Sequence, residues 1–192
     1  VAEGLVVAYD ASGTLNVRNG GEVSSATGFL GYSTDSVGTA TVNGDGSVWT
    51  NSGSLYVGGG DTAGGGSGVL TAADGGEVQV GGTLKIWDTG TLNLNAGGVV
   101  AADAMELVPG STFAQAAGSV LRLNSLSGFG DNPSFDASLH LGHSAGGSGA
   151  GTHTVGNAQN LTVAEGLVVA YDASGTLNVQ DGGVVSNTVG YI

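Results

Sequence analysis

GTLNVRNGGEV, residues 13–23, is the stretch whose reading decides the fold. Leu15 and Val17 share one parity, and Thr14 and Asn16 the other. Successive side chains of a strand point to opposite faces, so this alternation is that of a half-buried strand. Arg18-Asn19-Gly20-Gly21 is a turn, and Glu22-Val23 opens a second strand. Glycine supplies the positive φ and the close backbone approach of a tight corner. The frame recurs as GTATVNGDGSV (38–48), GVLTAADGGEV (68–78), GTLNLNAGGVV (90–100) and GTLNVQDGGVV (175–185). The starts at 13, 38, 68 and 90 are spaced by 25, 30 and 22 residues, a solenoid period.

Outside the frame, apolar residues recur at Leu5/Val7, Leu55/Val57, Val78/Val80 and Leu84/Ile86. One coil cannot bury such a face alone, whereas stacked coils can. The expectation is an all-β chain: a single right-handed parallel β-solenoid of about eight coils, each of about 22–25 residues with three short strands. Leu15, Val17, Leu92, Leu94, Leu177 and Val179 are its expected core, and Asn16, Asn93 and Asn178 face outward. TFAQAAGSVLRL (112–123) has some helical character, but Gly118 and the surrounding strands favour strand.

Glycine makes up 39 of 192 residues, which weighs against helix bundles. Collagen is excluded because there are only two prolines and no triplet period. Sixteen acids face three bases (Arg18, Lys85, Arg122), for a net charge of −13. Three scattered bases cannot form a phosphate-binding patch, so nucleic acid and anionic membrane are not expected partners. No cysteine is present, so neither disulfides nor thiolate metal sites are available. No apolar run reaches the ~20 residues of a membrane helix.

A longer repeat encloses the shorter one. VAEGLVVAYDASGTLNV occurs at 1–17 and, unchanged, at 163–179. QDGGVVSNTVGYI (180–192) continues the alignment with RNGGEVSSATGFL (18–30). Residues 1–162 are thus expected to form one tandem unit and 163–192 the start of the next copy, so that the chain is an excerpt of a longer parent. Regularity weakens over 103–162, where SAGGSGAG (144–151) is expected to protrude as a loop.

The G-T-L-x-V-x-x-G-G-x-V frame, with GDGSVWTNSGSLYVG (44–58) and STFAQAAGSVLRLNSLSGFGD (111–131), resembles the passenger repeats of bacterial autotransporter-type proteins. Similar repeats occur in other large surface-anchored bacterial β-solenoids. The resemblance implies export, a cell-surface or extracellular location, and a structural (stalk) or adhesive role. It carries no shared catalytic motif, and an enzyme is not expected. The 162-residue duplication, for its part, leads us to expect a filament whose partners are other copies end to end or a longer parent chain.

Several residues are candidates for a site. Trp49, Tyr56 and Trp87 fall on the outward parity and could stack on sugars, which makes a carbohydrate-binding module the alternative function. The ordinary role of such rings is to cover corners. His140, His143 and His153 share one window and are possible metal ligands. His140 and His143 differ by three, however, and a strand would send them to opposite faces. Asp131 and Asp136 form a loose oxygen cluster without the calcium-binding nonapeptide. A polysaccharide-active enzyme would need two facing carboxylates, and no such pair stands out. No cofactor is expected.

Overall fold

The computed structural model describes residues 4–125, 129, 133–144 and 150–192. It is all-β, a stack of parallel strands winding through about 7 turns. Each coil places one strand on each of three faces. The first coil holds β1 (Gly4–Val7), β2 (Ser12–Arg18) and β3 (Glu22–Ser25). The second holds β4 (Thr27–Leu30), β5 (Val37–Asn43) and β6 (Val48–Asn51). Next come β7 (Leu55–Val57), β8 (Ser67–Ala73) and β9 (Glu77–Ile86), then β10 (Gly90–Leu94) and β11 (Val99–Leu107). β9 and β11 are long because the third face of one coil runs directly into the first face of the next. β12 (Thr112–Gln115) and β13 (Val120–Ser125) complete the fifth coil, and residues 112–123 are therefore strand.

The register repeats from coil to coil. Leu15 lies on Ala40, Ala40 on Leu70, and Leu70 on Leu92. Leu92, Leu94 and Val17 are buried as the alternation predicts. Leu15 and Leu177, in contrast, are half-buried and Val179 is 51% exposed, so these three expected core positions are not fully covered. They lie in the first and last coils, each with a described rung on one side alone.

The Gly-Gly corners have two separate requirements. Gly75 takes φ +87°, in the left-handed region. Gly76 needs absence of a side chain: an added Cβ would lie 2.2 Å from the Val42 carbonyl oxygen of the coil below. Gly183 stands equally close to Val155, at 2.2 Å. Its twin Gly21 has no described coil beneath it, and the nearest atom to an added Cβ is the Arg18 carbonyl oxygen, at 3.1 Å.

Above the fifth coil the stack steps sideways. β14 (Ser134–Phe135), β15 (Ser138–Leu141), β16 (Ala150–Val155) and β17 (Asn160–Val169) form the sixth coil, followed by β18 (Ser174–Val179) and β19 (Val184–Tyr191). β15 rests on the third-face strand β13 but lies beneath the first-face half of β17. The second-face ladder breaks into β2-β5-β8-β10-β12 and a separate pair, β16-β18. This step and the long loop between β7 and β8 use up chain, which is why about 7 turns form instead of eight. The expected Gly/Ser protrusion falls largely on residues 145–149, outside the described residues.

Burial sets the expected mutational contrast. Leu92→Ala, at a fully buried rung, should cost about 2–5 kcal/mol in urea unfolding, whereas Val179→Ala should fall within about 0.5 kcal/mol. Gly76→Ala should destabilise far more than Gly21→Ala. Equal effects at the two glycines would show that backbone approach between coils is not what the corner requires.

Candidate functional site

The outward side of the first face carries the aromatic column. Phe29 pairs with Tyr56, Tyr56 with Lys85, and Lys85 with Glu106 on successive rungs. Phe29 and Tyr56 stack at 5.3 Å, and Tyr9 stacks on Tyr32 at 5.1 Å. Tyr56 is thus placed outward, as its parity predicts. Its stacking partner, however, is the next rung. Rings stacked along the axis cover one another's faces and leave mainly edges exposed, whereas a sugar packs against an open ring face.

Trp87 also lies on the flank, half-buried. Its indole N–H donates to the Gly60 carbonyl at 2.8 Å, and the Lys85 ammonium sits 4.1 Å over its ring. That ammonium also pairs with Glu106 at 3.0 Å. Trp87 therefore fastens the β7–β8 loop to the stack.

Trp49 is a correction. It is fully buried, in register with Val23 below and Val78 above, while Val48 faces outward. The corner before β6 has one more residue than its counterparts: Val17 pairs with Val42, but Val23 pairs with Trp49. A one-residue slip exchanges the two sides of a strand. Gly28 leaves space on this inner side, since a Cβ there would lie 2.6 Å from Asn51 Oδ1 and from Leu55 Cδ1 and 3.0 Å from the Trp49 ring. Trp49 is a core residue and offers no ligand platform.

The three histidines do not converge. Among the described residues, no group of three or more His, Asp or Glu side chains is arranged to hold a metal. His143 is completely buried at the step, with Nε2 2.8 Å from the Ala102 carbonyl. A carbonyl only accepts, so Nε2 carries the proton. Asn124 binds the same backbone: its Oδ1 accepts the His143 amide at 2.9 Å, and its Nδ2 donates to Asp103 at 3.1 Å. Sequence reading missed this network, because a polar residue within an apolar strand does not reveal that the ladder breaks beside it. His153 lies on β16, half-buried. Burial lowers its pKa. Asp136 is solvent-exposed, and Asp131 lies outside the described residues.

His140 belongs to a different group. It stacks on Tyr171 at 4.5 Å, and the Arg122 guanidinium lies 4.7 Å from the same ring. Arg122 reaches across two rungs to Glu77 at 3.4 Å. Burial, followed by repulsion from Arg122 and His143, lowers the His140 pKa to about 4, against a partial opposing pull from Asp172. A surface depression of about 380 Å³ is lined by Glu22, Val23, Ser24, Val48 and Thr50. It has one acid, whereas glycoside hydrolysis calls for two.

Comparison with family models, curated proteins and solved structures finds no match for this chain.

The His140 environment predicts a pH dependence. The unfolded imidazole titrates near 6.5 and the folded one near 4, so the unfolded chain binds more protons between these values. Stability from this group is fully present above about pH 6.5 and falls as pH drops towards 4. Thermal melting should therefore shift downward between pH 7 and 5, and His140→Gln should flatten much of the shift. An unchanged slope in that variant would assign the effect to other groups.

Proposed function

We propose that this chain is a non-catalytic, length-setting segment of a long tandem β-solenoid that works outside the cell as a structural or adhesive rod. The observation that carries this reading is that residues 1–17 and 163–179 share one sequence, and that residues 4–17 and 166–179 form the same kind of rung. Residues 5–7 pair upward with Gly28–Leu30, and residues 167–169 pair downward with Leu139–Leu141. The same sequence is thus seen accepting a coil on either side, which is what uninterrupted stacking across a 162-residue junction requires. The likeness of the frame to autotransporter passenger repeats supports export and a bacterial surface location. On this reading the partners are further copies of the unit, in one parent chain or joined end to end. The outward aromatics do not favour a carbohydrate-binding role, because their faces are taken up by one another and by Lys85.

A two-unit chain, residues 1–162 followed by 1–192, tests the proposal. Its longest dimension in small-angle scattering should exceed that of the single chain by roughly 30 Å, at ~4.8 Å per rung. A two-unit chain that is no longer, or that gives two independently tumbling particles, would overturn it.

A further inference from the structure

The seat formed by β15 and β16 selects its occupant through residues that occur twice in the chain. Leu139, His140 and Leu141 pair with Leu167, Val168 and Val169. Thr152, His153 and Val155 pair with Thr176, Leu177 and Val179. Each of these occupants has an identical twin 162 positions earlier, at Leu5, Val6, Val7, Thr14, Leu15 and Val17. The ring contacts are duplicated as well: Tyr171, which stacks on His140, is the twin of Tyr9. The seat therefore has no means of distinguishing residues 163–179 of its own chain from residues 1–17 of another.

The twins differ in what lies beneath them. Leu167 is 4% exposed over Leu139, whereas Leu5 is only half-buried, with no described rung on that side. On the opposite side, the last coil opens an apolar depression of about 310 Å³, bordered by Leu167, Val169, Leu177, Val179 and Val185.

We propose that residues 1–30 of a second copy of this chain displace residues 163–192 from this seat. Leu5, Val6 and Val7 then take over the partners of Leu167, Val168 and Val169, and the copies join head to tail in tandem register. In a solenoid, stability is a sum of coil terms and nearest-neighbour interfaces. Exchange keeps the contacts to the seat, because the same pairs form between chains, and gives up only the pairing of residues 166–168 with 189–191 inside the displaced segment. It also returns conformational freedom to the displaced residues. The opposing term is local concentration: a tethered segment competes at roughly millimolar effective concentration. Exchange is thus concentration-dependent and is promoted by anything that loosens residues 163–192. The inference rests on the stacking reading of the function, but only exchange between chains is at stake in the test below; rod length in the two-unit chain checks stacking separately.

The chain has no cysteine, so cross-links report cleanly. Laterally paired strands are ~4.8 Å apart, within the Cα range of a disulfide. His140→Cys with Val168→Cys should close within the monomer. His140→Cys with Val6→Cys should give a ladder of disulfide-linked oligomers that grows with protein concentration, in which residues 163–192 become protease-sensitive. Adding Leu167→Asp, which loosens the chain's own segment, should increase the ladder several-fold, and adding Leu5→Asp should abolish it. The proposal is overturned if the Val6/His140 pair stays monomeric at millimolar protein while the Val168/His140 pair closes. A ladder insensitive to Leu5→Asp, or oligomers in which residues 163–192 stay protected, would also overturn it, since either would mean contact without exchange.

Discussion

Apolar rungs stacked one on another along the axis are the interaction on which everything else depends. The duplicated sequence shows this within one molecule. Val17 and Val179 sit in the same local sequence and occupy the same strand position. Val17 is 3% exposed because β5 lies over it, and Val179 is 51% exposed with no described rung above it. Leu5 and Leu167 show the converse below the coil. Much of the burial at these positions comes from neighbouring coils, so a large part of the hydrophobic contribution belongs to interfaces between coils. The corner glycines obey the same rule: the space denied to a Cβ at Gly76 and Gly183 is occupied by the backbone of the coil beneath.

Where stacking slips, polar chemistry takes over. Between the fifth and sixth coils the strands shift by one face, and backbone groups there lose their regular ladder partners. A buried, unpaired peptide group costs free energy comparable to a lost hydrogen bond. Carboxamides span the break. Asn124 accepts from the His143 amide and donates to its carbonyl, at 2.9 and 3.3 Å, which is what a peptide unit of a neighbouring strand would do. On another side, Gln115 donates to the Ser138 carbonyl at 3.2 Å. The imidazole of His143 satisfies the Ala102 carbonyl in the same way. The histidine that looks most like a buried metal ligand is instead a substitute for a strand.

What could be read from the sequence follows from which interactions are local. Period-two alternation and glycine corners are properties of a few residues, so strands, parallel stacking and the Leu92/Leu94 core were all legible. Trp49 was misplaced because an ungapped alignment of GTATVNGDGSV with GTLNVRNGGEV hides one additional corner residue, and strand parity forgives no slip. The sign of that slip was present in Gly28, an inward position left without a side chain. The step at residues 124–143 was not legible at all, because it depends on which coil lies below. The exposure of Val179 was missed for the same reason: alternation gives the face a side chain points to and says nothing of whether another rung covers it.

Charge and packing act on this stack in opposite directions. Sixteen acids against three bases give neighbouring coils charges of the same sign. Rungs are ~4.8 Å apart, shorter than the screening length of ~8 Å at physiological ionic strength, so adjacent coils still repel through salt. Lys85 and Arg122 relieve this locally by pairing with Glu106 and Glu77 on other rungs, at 3.0 and 3.4 Å. Apolar burial is short-ranged and unaffected by that screening, and it acts only when coils are in register. A misregistered approach meets the repulsion without the burial, whereas an in-register approach gains both core contacts and backbone ladders. The acidic surface thereby disfavours approach out of register and leaves axial stacking as the favoured contact between coils.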